Sequence, residues 1–107
     1  MQTDQAIQAL GALAQEHRLA AFRALVEAGP EGLAAGVLAG QLRIAPSSLS
    51  FHLAQLSHAG LIHHSRQGRS IVYKADFAAM KGLIAYLTQN CCAGEACELL
   101  PAGDICA

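Results

Sequence analysis

Two short helices joined by a tight turn constrain the fold of this chain of 107 residues more than any other feature. Residues 33–42 predict the first of these helices. Three of its apolar side chains are expected to face inward: Val37, Leu38 and Leu42. The connection at 43–45 is short, Pro46 and the serines after it suit the start of the second helix, and Gly60 ends it. This order is typical of a helix-turn-helix, in which the second helix fits the major groove of DNA.

A β-hairpin is predicted directly after this pair of helices. Residues 61–65 and 70–74 are rich in β-branched and aromatic side chains, and they flank a turn that contains a glycine. Apolar residues at helical spacing predict one helix at about 4–14 and another that Gly29 stops, and Asp76 is placed to cap a last helix. The predicted fold class is mainly α (α+β), a winged helix-turn-helix in the order α-α-α-α-β-β-α, with the hairpin as the wing.

The second helix of the pair has an apolar face and a polar face. Leu49, Leu53 and Leu56 recur at the spacing of a buried stripe. The opposite face and its edge carry side chains that can hydrogen-bond base edges or phosphates, or touch a thymine methyl group. The residues of this helix predicted to bind DNA are Ser47, Ser48, Ser50, Phe51 and Gln55. The alternative is an ordinary polar surface, with Phe51 as a core side chain.

The turn of the hairpin is the second place where the chain is expected to meet DNA. A wing reaches phosphates or the minor groove at this point. The residues predicted to do so are Arg66, Gln67 and Arg69, although arginines at an exposed turn are also common as solvated charges. His52 falls beside the leucine stripe and is expected to be a packed core histidine. His63 and His64 point to opposite faces of a strand, so they are poor partners for one metal ion.

The charge of the chain is divided unequally. Residues 1–74 hold six Lys or Arg against four Asp or Glu, whereas residues 75–107 hold one Lys against four acids. The net charge of −1 therefore hides a mildly basic body, which permits DNA binding. No apolar run approaches the ~18 residues of a membrane span, and no secretory signal is visible. A cytoplasmic protein of one domain with no membrane partner is expected.

Three cysteines lie close together near the end of the chain. Cys91, Cys92 and Cys97 fall within seven residues, and the fourth cysteine is Cys106. Thiols stay reduced in the cytoplasm, and soft thiolate ligands select soft acceptors. Trivalent arsenic and antimony take three thiolates, whereas structural zinc prefers four ligands. Because adjacent residues of a helix point about 100° apart, the three sulfurs converge only if the end of the last helix unwinds. The cluster is thus predicted to bind a soft metal or metalloid, and Cys106 has no assigned role.

The chain resembles the ArsR/SmtB family of metal-responsive repressors over residues of about 5–92. The segments that carry the resemblance are 18–25, 47–56, 59–62, 66–69 and Tyr73. The resemblance implies a homodimer formed through the first and last helices. It also implies binding to operator double-stranded DNA, with no cofactor for that binding, and release when an inducer binds.

One of the inducer sites of that family matches this chain. Residues 33–37 lack the cysteines of one familiar site, and residues 76–90 lack the histidine and glutamate of the zinc-type site. The Cys91-Cys92 pair at the end of the last helix, with Cys97 downstream, resembles the arsenic-sensing subgroup. The resemblance therefore implies As(III) or Sb(III) as the inducer and these three cysteines as its ligands.

Residues 1–92 are expected to form the DNA-binding and dimerisation domain, and residues 93–107 a tail that completes the thiolate site.

The sequence also bears on other functions. No glycine loop for phosphates is present and no arginine follows a cysteine, so no catalytic residues and no enzyme are predicted. The alternatives left open are another soft metal, thiol oxidation through a Cys92–Cys97 disulfide, an idle tail, and a winged-helix module that binds a protein instead of DNA.

Overall fold

The chain folds into five helices and a small antiparallel sheet. The computed structural model describes residues 1–94. The helices are α1 (Thr3–Leu13), α2 (Glu16–Ala28), α3 (Ala35–Leu42), α4 (Pro46–His58) and α5 (Phe77–Leu87). The strands are β1 (Leu33–Ala34), β2 (Ile62–Gln67) and β3 (Ser70–Ala75), in the sheet order β1-β3-β2. Short 3-10 segments occur at Gly29–Glu31 and Cys91–Gly94. The predicted fold class, a mainly α winged helix-turn-helix, is confirmed. None of the helices within residues 1–94 has the length and apolar character to cross a membrane.

Leucine side chains form the centre of the core. The largest side chains that are fully buried are Leu25, Leu38, Leu49, Leu53, Leu56 and Leu61. Burying one such leucine stabilises the fold by roughly 1.5–3 kcal/mol relative to leaving it in water. Helix α2 packs against α3, α4 and β3. It is therefore the central element that holds the helix-turn-helix pair and the wing in one unit.

Side-chain caps define where α2 and α5 begin. The carboxylate Oδ1 of Asp76 accepts a hydrogen bond from the backbone N–H of Ala79 at 3.0 Å, so the predicted cap of α5 is confirmed. A cap of this kind contributes about 1 kcal/mol. At α2, the side-chain oxygen of Gln15 accepts from the N–H of Arg18 at 2.9 Å. The sequence does not indicate this second cap, because glutamine is not among the usual capping residues.

A short strand, β1, replaces the first residues of the predicted third helix. Leu33 pairs with Tyr73 of β3 in antiparallel register, and α3 starts only after Ala34. Gly32 precedes the strand with φ +70°, and a Cβ there would collide with the carbonyl oxygen of Tyr73. A strand of two residues is too short to show an alternating pattern. Only its partner, far along the chain, makes this segment a strand.

The side chains that α3 turns inward differ in part from the prediction. Leu38 is fully buried and Leu42 is half-buried, as predicted, but Val37 is 51% exposed. Ala39 takes the second buried position instead. The inward orientation predicted for Val37 is wrong, because successive residues of a helix point about 100° apart and a short helix covers the core with one narrow face.

Two neighbouring positions of α3 test this packing. We expect Leu38→Ala to lower the free energy of unfolding by about 2–5 kcal/mol, because it removes buried carbon atoms and leaves a cavity. Val37→Ala, at an exposed position, should change that free energy by less than about 0.5 kcal/mol. Urea denaturation followed by circular dichroism, at one fixed protein concentration, measures both. Equal losses for the two variants would contradict this orientation of α3.

Candidate nucleic-acid interface and thiol segment

Helix α4 buries one face and presents the other to solvent. Leu49, Leu53 and Leu56 are at most 1% exposed, so the predicted stripe is confirmed. The residues of α4 predicted to bind DNA are all exposed: Ser47, Ser48, Ser50, Phe51 and Gln55. Their shared exposure makes a continuous polar surface with one aromatic side chain in it. The contact of these side chains with DNA stays a prediction.

Phe51 is a large apolar side chain that α4 holds in solvent. It is 59% exposed, and its ring meets His52 edge-on with the ring centroids 5.7 Å apart. The alternative in which Phe51 is a core side chain is therefore wrong. Full burial of a phenylalanine would stabilise the fold by roughly 1.5–3 kcal/mol, and this position forgoes most of that gain. Its exposure favours a role in binding, such as contact with a thymine methyl group.

The register of the hairpin decides which wing side chains face α4. Ile62 and Ala75 are buried and directly opposite each other. Because side chains alternate along a strand, the residues that share their face are His64, Tyr73, Arg66 and Ile71. Arg66 and the 36%-exposed Ile71 thus form the outer end of this face. Neither Ile71 nor Tyr73 is among the DNA-binding residues predicted from the sequence.

The three predicted wing residues do not lie together. Gln67 is on the face opposite Arg66 and lines a cleft with Glu31 and Lys74 behind the wing. Arg69 lies in the two-residue turn. All three are exposed. The structure therefore separates Gln67 from the α4 side of the wing, while Arg66 shares the face that turns to α4.

Positive charge around α4 comes from outside that helix, which has no Lys or Arg of its own. Arg43 is exposed at the connection between α3 and α4, with a left-handed φ of 56°. Within residues 1–94 the only ion pair is between Arg23 and Glu27, at 3.7 Å. No carboxylate in that part of the chain therefore pairs with Arg43, Arg66 or Arg69. The sequence prediction missed Arg43. Its place in the tight turn of the helix pair is the signal that could have found it.

His52 packs between α4 and α2, but it is half-buried at the edge of the core, which corrects the predicted core position. Its ring lies against His17 with the centroids 5.5 Å apart. Its Nδ1 is buried and has no hydrogen-bond partner among residues 1–94. Burial lowers the pKa of His52 below 6.5, and the positive charges of Arg18 and His17 lower this pKa further. The neutral imidazole is therefore the form that suits the packing of α2 on α4.

The chain leaves α5 before it reaches the cysteines. Helix α5 ends at Leu87, and the N–H of Cys91 donates to the carbonyl oxygen of Thr88 at 3.0 Å. The non-glycine residues with left-handed φ values of 55–59° here are Asn90, Cys92 and Ala93. The cysteine pair thus follows the last helix instead of ending it, which corrects the predicted position. Its side chains are not held at the helical angle of about 100°.

The predicted thiolate site is described only in part. Cys91 is half-buried and Cys92 is exposed. Cys97 and Cys106 lie outside the described residues, as does most of the predicted tail. Within residues 1–94, no three His, Cys, Asp or Glu side chains are grouped closely enough to hold a metal ion. The site made by Cys91, Cys92 and Cys97 therefore stays a prediction.

Comparisons with known proteins relate this fold to transcriptional regulators. A family model for a helix-turn-helix domain matches residues 13–65. An ArsR-like transcriptional regulator from Rhodococcus is similar in structure, with 26% sequence identity, coverage of 78% of this chain and 76% of that chain, and a TM-score of 0.69. Reduced HlyU from Vibrio cholerae is 29% identical, with coverage of 84% and 92% and a TM-score of 0.67. NolR from Sinorhizobium fredii is 30% identical, with coverage of 78% and 84% and a TM-score of 0.63.

No curated protein sequence matches the chain at a significant level. The matched domain is a helix-turn-helix, and the similar Rhodococcus protein is a transcriptional regulator. The prediction that the chain is not an enzyme is confirmed by these matches.

The packing of His52 predicts a loss of stability in acid. Because its pKa is lower in the folded chain than in the unfolded one, the unfolded chain binds more protons as the pH falls below about 6.5. The free energy of unfolding should therefore decrease through that range and be largest above it. We expect His52→Gln, which does not titrate, to lose part of this pH dependence in urea denaturation series at matched pH values. The same pH dependence in His52→Gln as in the parent protein would contradict this assignment.

Proposed function

Because this chain belongs to the ArsR family of winged helix-turn-helix transcriptional regulators, we propose that it is a homodimeric repressor released from operator DNA by arsenite or antimonite. The inducer binds the thiolates of Cys91, Cys92 and Cys97. The observation that carries the proposal is the exposed face of α4 beside a wing with arginines at its tip. The cysteine cluster supplies the choice of inducer.

The exposed face of α4 supports direct reading of base edges. Serine hydroxyls and the amide of Gln55 donate and accept hydrogen bonds, and Phe51 offers an apolar contact to a thymine methyl. Arg43, Arg66 and Arg69 supply charge for phosphates on both sides of the helix. Helix α4 would then recognise the bases, and the three arginines beside it would provide most of the salt-dependent affinity.

Apolar surface on the first and last helices supports a homodimer. Ile7 and Leu10 of α1 are 64% and 42% exposed, and Leu87 at the end of α5 is 58% exposed. Helices α1 and α5 pack against each other, so the two helices are neighbours in the fold. A second copy that covers these side chains would remove them from water and give a two-fold arrangement. Such a dimer would bind an operator if its two α4 helices reach successive major grooves, about 34–36 Å apart.

The chemistry of the thiols supports a trivalent metalloid as the inducer. As(III) and Sb(III) are soft centres that three thiolates saturate, and a soft ligand set selects them over harder ions. The backbone at Asn90, Cys92 and Ala93 is already outside the α-helical region. Left-handed backbone costs roughly 1–2 kcal/mol for each non-glycine residue. An ion that binds a different conformation of this segment more tightly would shift the segment toward it.

The segment after α5 is placed to change the spacing of the two DNA-binding helices. It begins immediately beyond α5, and α5 packs on α1 in the proposed interface. Ordering of this segment around an ion would shift how two copies meet and hence the spacing of the two α4 helices. A coupling free energy of about 1–3 kcal/mol is typical for such a transition and would weaken operator binding roughly 5- to 150-fold.

Thiol oxidation is a second candidate for the input signal. One of the similar structures is that of reduced HlyU. In this chain, Cys92 is exposed, and a bond between Cys92 and Cys97 is a disulfide that the sequence spacing permits. The protein would then leave the operator in response to an oxidant and not in response to arsenite.

Substitutions on α4 and the wing separate base reading from phosphate contact. We expect Phe51→Ala to weaken operator binding by about 1 kcal/mol for each half-site, because it removes apolar contact, and to leave the salt dependence unchanged. Arg66→Gln should instead reduce the slope of log K against log salt by roughly 1 for each half-site. Fluorescence anisotropy on a fragment of the promoter of its own gene measures both.

The matched control for Arg66→Gln is Arg23→Gln. Arg23 is equally cationic and exposed, but it pairs with Glu27 on α2. Its loss should leave affinity and salt slope as they are. If the parent protein shows no salt-dependent binding to promoter DNA, the repressor proposal fails and a protein-binding winged helix replaces it.

The inducer assignment is tested in the same assay under reducing conditions. Arsenite should weaken operator binding of the parent protein roughly 5- to 150-fold. Single substitutions at the three ligands should abolish this effect without changing the affinity of the inducer-free protein: Cys91→Ser, Cys92→Ser and Cys97→Ser. Cys106→Ser is the matched control and should respond like the parent. Release by an oxidant or by cadmium, with no response to arsenite, would replace the proposed inducer.

A further inference from the structure

A cleft between α4 and the wing is lined largely by residues without a role so far. Leu53 and Ala54 of α4 form its floor. Its walls carry polar side chains from both elements: Ser50, Ser57, His58, His64 and Tyr73. These groups are hydroxyls and imidazoles, and the lining contains no carboxylate. Such a set favours an anionic group over a cationic one.

The wing side of this cleft is built by a cross-strand pair. His64 lies directly opposite Tyr73 on the two strands, and their rings pack with the centroids 5.3 Å apart. Tyr73 is half-buried and fixes the position of the exposed imidazole beside it. The next pair toward the tip on the same face is Arg66 and Ile71. Positive and potentially positive groups therefore follow one another from the cleft toward the tip of the wing.

The position of the cleft relates it to the DNA backbone. With α4 in a major groove and the wing at the neighbouring minor groove, the strand of sugar and phosphate between the two grooves runs across the space between α4 and the wing. Base edges lie deeper in the grooves, on either side of that strand. A phosphodiester group is thus the part of the operator that would meet the cleft.

We propose that this cleft seats a backbone phosphate of the operator, with protonated His58 and His64 as its cationic ligands. The inference rests on the proposed operator binding and adds a dependence on pH to it. Histidine is the side chain whose charge ordinarily changes between about pH 5 and 8. Operator affinity then increases as the pH falls through this range. A charge-assisted hydrogen bond to phosphate is roughly twice as strong as a neutral one.

The charged groups around the two histidines come from each element at the cleft. Helix α4 contributes His58, strand β2 contributes His64 and Arg66, and strand β3 contributes Tyr73. His58 also borders two openings on the α1 side, where Arg18 of α2 and Met1 are the charged groups. No acid of residues 1–94 lines the cleft. His63 and its cross-strand partner Lys74 lie on the opposite face of the hairpin. His63 is therefore a matched control, since it is an exposed histidine on the same strand that points away from the cleft.

The test measures operator binding by fluorescence anisotropy over a salt series, at about pH 6 and about pH 8. For the parent protein, we expect roughly tenfold tighter binding at the lower pH. The slope of log K against log salt should also steepen by roughly 0.9 for each cleft that seats a phosphate. The double variant His58→Gln, His64→Gln should lose both changes, and His63→Gln should keep both. Because all variants retain His17 and His52, comparison at equal pH cancels their contributions.

A second experiment locates the phosphate. In operator fragments that carry one uncharged methylphosphonate, substitution between the two grooves should remove the pH dependence for the parent protein. Substitution elsewhere should preserve it. A pH dependence that survives in the double variant, or on every substituted operator, overturns the proposal for the cleft. Absence of any binding at either pH overturns the repressor proposal itself, so the two failures are distinguishable.

Discussion

The burial of the leucine face of α4 is the constraint on which the rest of the structure depends. Leu49, Leu53 and Leu56 are removed from water, and α2 packs against the same helix. Each of these leucines stabilises the fold by roughly 1.5–3 kcal/mol, so together they fix the rotation of α4 about its own axis. The opposite face, with Phe51 and the serines, must then point to solvent. The side chains available to DNA follow from what the core requires.

The wing is oriented by the same core through its first residue pair. Ile62 and Ala75 are buried. Because alternate residues of a strand point to the same face, His64 and then Arg66 lie on the face of Ile62. Strand β1 adds a third member to the sheet and ties β3 to the start of α3. The distance between α4 and the wing is therefore set by packing on both sides. The proposed phosphate site is the cleft between these two elements.

The proposed inducer site and the proposed DNA-binding helix lie in different parts of the fold. The cysteine pair follows α5, whereas α4 is joined to the core through α2. Exposed apolar side chains on α1 and α5 connect the two, because a second copy covering them would transmit a change after α5 to the spacing of the α4 helices. His58 and His64, the proposed phosphate ligands, lie between α4 and the wing. Proton binding and inducer binding would thus act on operator affinity through separate residues.

The sequence by itself determined the elements whose pattern is local. The leucine stripe of α4, the Asp76 cap and the hairpin depend on the spacing of near neighbours, so the fold class and the exposed face of α4 could be predicted. The cysteine spacing likewise indicates a soft ligand, though not where the last helix ends. Only the tertiary structure decided what depends on distant partners. Strand β1 exists because β3 pairs with it, and Val37 is exposed because Leu38 and Ala39 take the core-facing side of α3. The cleft between His58 and His64 belongs to the same class, since contacts between elements, and not residue spacing, bring its two walls together.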